Sequence, residues 1–137
     1  MTTNQIISRS QSVNIMEIWE KISRQRVRYI VDSYQLEGED NEDFDDYLED
    51  LLQAYPPPQI ELALVQVLTD SWQTFPIVRG VNFLERSHQL LKTWENRIIT
   101  AKVSPLHFHL ITGLDPRPVF GEPQTTTIKA PSASHIA

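Results

Sequence analysis

Apolar residues recur along most of this chain at the three- and four-residue spacing that is typical of amphipathic helices. The clearest pattern follows Asp40, where the apolar residues fall at i, i+3, i+4, i+7 and i+8: Phe44, Tyr47, Leu48, Leu51 and Leu52. This pattern predicts a helix with one buried face that is capped by Asp40 or Asn41. The Pro56-Pro57-Pro58 run should end it, because proline lacks the amide donor that a helix interior needs.

A first helix, which precedes this one in the chain, is predicted to begin at Asn14. Glu17, three residues later, completes an Asn variant of the capping box. It can run to about Leu36, ahead of Gly38, which can supply the left-handed residue that often follows a helix. Its apolar residues form two groups that are rotated relative to each other: Ile15, Ile18, Trp19 and Ile22, then Val27, Ile30, Val31 and Tyr34. This wide stripe predicts a long helix packed on more than one neighbour.

A third helix can begin at Pro58, and we expect it to be the most buried element because its apolar residues exceed a single stripe. Phe75-Pro76 interrupts it. The residues expected on its inner face are Ile60, Ala63, Leu64, Val67, Leu68 and Trp72.

The next segment allows two interpretations because of Gly80. Either one helix begins near Pro76 and tolerates the glycine, or a new helix begins at Asn82 with Glu85 as a second capping box. We favour the second. The inward residues of this fourth helix would be Phe83, Leu84, Leu90, Leu91, Trp94 and Ile98.

Ser104, Pro105 and Gly113 frame a short last helix, with a serine cap, a proline at the first position and a glycine after the end. The segment that follows, from Leu114 to Gly121, contains two prolines and predicts extended backbone. We refer to residues 104 to 121 as the C-terminal strap.

The predicted fold class is all-α: a single compact bundle of about four to five helices over residues 14–121. Polar composition predicts disordered tails over residues 1–13 and 122–137. A chain of 137 residues can bury one core without covalent staples. It contains no cysteine, which excludes disulfides and thiolate metal sites.

Charge is distributed unevenly along the chain. Nine acidic residues and no basic residue fall between Glu37 and Asp50, so the remaining chain carries a net charge of only +3. This is too small for the basic surface that nucleic-acid binding usually needs. The acidic run itself most simply predicts a solvated helix start, with a partner-facing surface or a calcium site as weaker alternatives.

Three arginines of the first predicted helix, Arg24, Arg26 and Arg28, are candidate binding residues, because a guanidinium can bind carboxylates or phosphates through two hydrogen bonds. Arg26 falls within the apolar stripe, and the other two lie away from it. The simpler interpretation is pairing within the chain with the acidic run, which begins only about ten residues later.

The C-terminal strap is the second candidate binding segment, because it is more apolar than a surface connection needs. Its large apolar residues are Phe108, Ile111, Leu114, Val119 and Phe120. The strap could fold back and close the core, or it could expose these residues to a partner protein.

The ending ITGLDPRPVFG, Ile111 to Gly121, resembles the C-terminal part of small uncharacterised helical proteins of cyanobacteria. The resemblance covers about residues 76 to 121. It implies a photosynthetic bacterial cytoplasm as the setting and transfers no catalytic residue.

No catalytic or metal-binding motif is found in the sequence. His107 and His109 are two residues apart, which points them to different sides of a helix and does not suit shared metal ligation. We therefore predict no cofactor, no metal and no enzymatic activity. The predicted function is a cytoplasmic, non-catalytic protein–protein interaction module with no membrane span, and self-association through a helix face remains open. Nucleic-acid binding through the basic face of the first helix is the alternative, and an enzyme on an undescribed helical scaffold comes third.

Overall fold

Six helices account for the regular structure in the described part of the chain, which a computed structural model gives as residues 2–73 and 78–122. Side chains are described from Ile15 onward. The helices are α1 (Thr2–Ser33), α2 (Asn41–Ala54), α3 (Pro57–Ser71), α4 (Val81–Trp94), α5 (Pro105–Thr112) and α6 (Arg117–Phe120). The described residues contain no strand, and the predicted all-α bundle is confirmed.

Helix α3 lies at the centre and packs against α1, α2, α4, α5 and α6. Its side chains are buried around most of its circumference, including Leu62 and Val65, which lie outside the main apolar stripe. The prediction that this helix is the most buried element is confirmed. Trp72 is an exception, because it follows the last residue of α3 and is half-exposed beside the ring of Tyr34.

Helix α1 differs from its prediction at both ends. It begins at Thr2, upstream of Asn14, and residues 2–13 contain no proline or glycine that would interrupt a helical backbone. Residues 2–13, predicted as a disordered tail, thus belong to the backbone of α1, and the tail predicted over 122–137 lies outside the described residues beyond Glu122. At the other end, Gln35 (φ 51°) is the left-handed residue that closes the helix: Gln35 N–H donates to Asp32 O and Leu36 N–H to Val31 O, the two bonds of a Schellman motif. Gly38 is also left-handed, with φ 59°, but it lies in the turn that follows.

The start of α4 also corrects a prediction. The N-cap is Gly80, with φ 75° and ψ −154°, so Asn82 lies inside the helix and forms no capping box with Glu85. The Gly80 N–H donates to Leu36 O at 2.6 Å, which ties the start of α4 to the turn after α1. Ile98, predicted to face inward, is exposed because α4 ends at Trp94 and the backbone turns away at Asn96. The Phe75-Pro76 interruption lies outside the described residues.

Helix α5 forms as predicted. Ser104 Oγ accepts a hydrogen bond from the His107 N–H, Pro105 occupies the first turn, and Gly113 follows the helix in the left-handed conformation. The segment after it is not extended throughout, because Arg117–Phe120 form the short helix α6. Asp115 supports this turn, since its Oδ1 accepts from the Arg117 N–H at 3.0 Å.

Candidate protein-binding surface

The N-terminal half of α1 projects beyond its neighbours because of the registers in which the helices pack. Helices α1 and α3 run in the same direction, with Arg26 beside Glu61 near one end and Tyr34 beside Trp72 near the other. Since α3 begins about one helical turn before Glu61, its first residue is level with about Ile22 of α1. Nothing in α3 can therefore cover the residues of α1 before Ile22.

Helix α2 runs antiparallel to α1, as the ion pairs Arg24–Glu49 and Arg28–Asp45 show. This register places Ala54, the last residue of α2, level with about Trp19. Residues 15–22 of α1, which we call the arm, thus extend past the start of α3 and reach the end of α2.

The arm carries a continuous apolar stripe. Ile15, Met16, Ile18, Trp19 and Ile22 each expose between 38% and 74% of their surface. Four of them fall at i, i+3, i+4 and i+7, which places them on one face of the helix. The exposed area of all five residues together is roughly 500 Å², near the upper limit of the apolar patches found on monomeric proteins. The first apolar group of α1 is therefore exposed, whereas Val27, Ile30 and Val31 of the second group are buried. The prediction that α1 packs on more than one neighbour holds only for its C-terminal half, which contacts α3 and the C-terminal strap.

Arg24 and Arg28 form ion pairs with the acidic run. Arg24 Nη1 donates to both carboxylate oxygens of Glu49, at 2.8 and 3.0 Å, and this bond holds the pKa of Glu49 below its usual range. Arg28 donates to Asp45 at 2.7 Å and to Glu37 at 2.8 Å, and the bond to Asp45 raises the pKa of Arg28. The predicted internal pairing is confirmed for both arginines.

Arg26 forms a different pair, since its partner Glu61 belongs to α3 and not to the acidic run. The Glu61 side chain is 1% exposed and that of Arg26 is 13% exposed. Arg26 Nη2 also donates to Asp115 O at 2.8 Å, so this guanidinium links α1, α3 and the C-terminal strap. The guanidinium of Arg26 is thus engaged within the chain, and its predicted role in binding a partner stays a prediction.

The C-terminal strap folds back onto the bundle. Phe108 is fully buried and meets the ring of Phe120 edge-on, with 5.7 Å between the centroids. Tyr34 Oη fixes the strap by donating to Ile111 O at 2.6 Å. Phe108 was predicted as a partner-binding residue, and this is corrected: its side chain is in the core. Ile111, Leu114, Val119 and Phe120 are half-buried against that core, and their role in binding stays a prediction.

The exposed apolar residues of α5 are Leu106 and Leu110, which the sequence had not singled out as binding residues. They lie on the solvent side of the short helix, whereas Phe108 points inward. The surface of the strap is therefore less apolar than its composition suggested, and the arm is the larger apolar surface.

Tyr47, Tyr55, His88 and Glu95 form a polar aromatic cluster between α2 and α4. The Tyr47 hydroxyl lies 2.8 Å from His88 Nδ1, and both tyrosine rings meet the imidazole edge-on. The Tyr55 hydroxyl donates to the Glu95 carboxylate, which raises the pKa of Tyr55 to about 12. Burial lowers the pKa of His88, which favours the neutral ring. These contacts fasten α2 to α4.

Two open depressions adjoin the arm. One, of about 450 Å³, is lined by Glu17, Ile18, Glu20, Lys21 and Arg24. The other, of about 420 Å³, lies between α1 and α2, where Arg24 and Arg28 are already paired with Glu49 and Asp45. Among the residues that the structure describes, no three His, Asp or Glu side chains are grouped as metal ligands, and no helix is long and apolar enough to span a membrane.

Comparison with known proteins gives no relative: no protein-family model, curated protein or solved structure matches the chain. Among the described residues, the exposed stripe of the arm is a larger apolar surface than that of the strap.

Proposed function

We propose that this protein is a non-catalytic protein–protein interaction module, acting as an adaptor, regulator or assembly factor, and that it binds through the arm. The observation that carries the proposal is the exposed stripe of Ile15, Ile18, Trp19 and Ile22 on a helix that extends past the start of α3. The cytoplasmic and cyanobacterial setting implied by the sequence belongs to the same proposal.

The chemistry of the stripe suits a protein partner. Apolar anchors at i, i+3, i+4 and i+7 are the pattern by which one helix packs on another or enters an apolar groove. Trp19 adds a large side chain of the kind that often dominates binding energy. Covering roughly 500 Å² of apolar surface would contribute on the order of 12 kcal/mol before the costs of association are subtracted. Those costs are about 4–15 kcal/mol, so a moderate affinity is expected.

Nucleic-acid binding through the basic face of α1 is less well supported. Arg24, Arg26 and Arg28 all donate to carboxylates within the chain, and phosphates would have to displace those carboxylates. An enzymatic role lacks a candidate constellation among the described residues, since the clustered titratable groups between α2 and α4 serve packing.

The proposal can be tested with a charge-introducing double variant, Ile18→Glu with Trp19→Glu. Both side chains are exposed, so we expect the helical circular dichroism to be preserved. The matched control is Ile98→Glu with Leu106→Glu, which places the same charges on exposed apolar residues outside the arm.

Each protein would be tagged and used to capture binding proteins from native lysate, with crosslinking and quantification of stoichiometry. We expect the wild type and the control to retain a stoichiometric protein, a second copy of this chain included, and the arm variant to lose it. Retention by the arm variant at the wild-type level, or no stoichiometric protein on the wild type, would overturn the proposal.

A further inference from the structure

We infer that the protein covering the arm is a second copy of this chain, paired antiparallel across a two-fold axis that passes near Ile18 and Trp19. This inference rests on the proposed function and deepens it by naming the partner. It draws on the symmetry of the stripe, the placement of charge and the area available.

The stripe is compatible with two-fold pairing. A two-fold interface brings the same patch of both copies together, so the patch must complement itself. Reversing the direction of the arm about its centre superimposes Ile15 on Ile22 and Ile18 on Trp19, so that these four apolar positions meet apolar positions, while Met16 falls opposite Lys21 at the edge of the stripe. The projection of the arm past the start of α3 leaves room for a second helix alongside it.

The charge of the arm also favours a second copy of the chain as its partner. The segment from Ile15 to Arg24 contains two acidic and two basic residues and has no net charge, although the whole chain carries −6. Within it, Arg24 pairs with Glu20 and with Glu49. Two arms can therefore approach each other without the repulsion that the overall charge would otherwise cause.

The position of the acidic run selects the antiparallel orientation. Asp45 pairs with Arg28, so the acidic start of α2 lies beside the C-terminal half of α1, away from the arm. In an antiparallel pair, the two acidic ends would be roughly 35 Å apart at 1.5 Å per residue. This exceeds the Debye length of about 8 Å at physiological salt, whereas a parallel pair would place the acidic ends side by side.

The area predicts the strength of the pairing. Two arms would remove roughly 1,000 Å² of apolar surface from water, close to the lower limit of about 1,200 Å² for specific interfaces. Flanking polar side chains would add to this area. We therefore expect a dimer that dissociates on dilution.

Sedimentation velocity over a range of protein concentrations tests the pairing. The sedimentation coefficient of the wild type should rise from the monomer to the dimer value with concentration. The double variant Ile18→Glu, Trp19→Glu should remain monomeric, and the control Ile98→Glu, Leu106→Glu should behave like the wild type. A wild type that is monomeric up to millimolar concentration, or an arm variant that dimerises like the wild type, would overturn the inference.

Because the chain has no cysteine, single cysteines can report the orientation. Antiparallel pairing predicts that Ile18→Cys forms an intermolecular disulfide, since the two positions lie next to the axis. Ile15→Cys should not crosslink alone but should crosslink when mixed with Ile22→Cys, because a disulfide needs Cα atoms within about 7 Å. Efficient crosslinking of Ile15→Cys alone would contradict the antiparallel arrangement.

The two proposals can fail separately. A monomeric wild type whose stoichiometric lysate partner is a different protein, lost in the arm variant, would overturn the second copy and leave the interaction surface intact. A dimer that is insensitive to the arm variant, together with a stoichiometric lysate partner that the arm variant retains, would overturn both.

Discussion

Arg26 holds the carboxylate of Glu61 with three hydrogen bonds, from Nε to Oε2 and from Nη2 to Oε1 at 2.9 Å each and from Nε to Oε1 at 3.2 Å. The two residues lie on α1 and α3, and almost no solvent reaches the carboxylate. A buried charge is tolerable only when it is paired, so this contact fixes how α1 lies on the central helix. It also sets the register that leaves the arm uncovered.

Removing the guanidinium of Arg26 from this pair should destabilise the fold. We expect Arg26→Met to lower the free energy of unfolding by about 3–5 kcal/mol, because it leaves the Glu61 carboxylate buried without its partner. The control is Arg24→Met, which breaks the exposed pair with Glu49 and should cost less than about 1 kcal/mol. Urea unfolding of the two variants gives the comparison, and equal losses would contradict the structural role of Arg26.

Arg26→Met should also change how the free energy of unfolding depends on pH. Burial raises the pKa of Glu61 above its ordinary value, and the guanidinium of Arg26 opposes this. Above the unfolded pKa, the folded state then holds a proton that the unfolded state releases, so stability falls as pH rises towards the folded pKa. Arg26→Met should raise the folded pKa further and make this fall steeper between about pH 5 and pH 8. Urea unfolding of the wild type and Arg26→Met at about pH 5 and pH 8 tests this prediction. A fall in the free energy of unfolding with pH that is no larger in Arg26→Met than in the wild type would count against it.

Gly80 should be required at the start of α4. Its φ of 75° and ψ of −154° fall in a region that only glycine adopts readily, and an added Cβ would lie 2.5 Å from Asp40 Oδ2. We expect Gly80→Ala to cost about 2–3 kcal/mol. Gly113→Ala should cost only about 1–2 kcal/mol, because it has a similar φ but open space around it. Thermal unfolding of both variants checks the order, and a larger loss at Gly113 would show that the tight site is relieved by movement of Asp40.

Features encoded by neighbouring residues could be predicted from the sequence. The amphipathic pattern of α2 and the Ser104, Pro105 and Gly113 frame of α5 depend on residues within a few positions of each other, and both are confirmed. The start of α4 could not be predicted from neighbouring residues. Its glycine cap is held by Leu36, far away in the sequence, while Asn82 and Glu85 matched a local pattern that the backbone does not use.

The arm could not be identified from its own pattern, because an apolar stripe looks the same whether it is covered by the bundle or exposed. Its exposure depends on where α3 begins relative to Arg26, and that register is set by a contact with Glu61, distant in sequence. One signal was present: Arg26 interrupts the apolar stripe, and a charge in that position needs a buried partner. For the strap, composition allowed either closure of the core or an exposed surface, and contacts with Tyr34 and Arg26 place it on the core.

The strap provides a test of core against surface within one short helix. Phe108→Ala should lower the free energy of unfolding by about 3–5 kcal/mol, because it removes a fully buried ring that packs on Phe120. Leu110→Ala, on the exposed side of the same helix, should change it by less than about 0.5 kcal/mol. Chemical unfolding distinguishes the two, and a small effect of Phe108→Ala would mean that the strap detaches from the core at little cost.

A photo-reactive phenylalanine analogue in place of Ile18 gives the most direct test of whether a protein covers the arm. The same analogue in place of the exposed Ile98 serves as the control. In native lysate under ultraviolet light, we expect position 18 to form a discrete adduct, with a second copy of the chain as the crosslinked species, and position 98 to form none. No adduct at position 18, or equal crosslinking at both positions, would contradict the assignment of the arm as the binding surface.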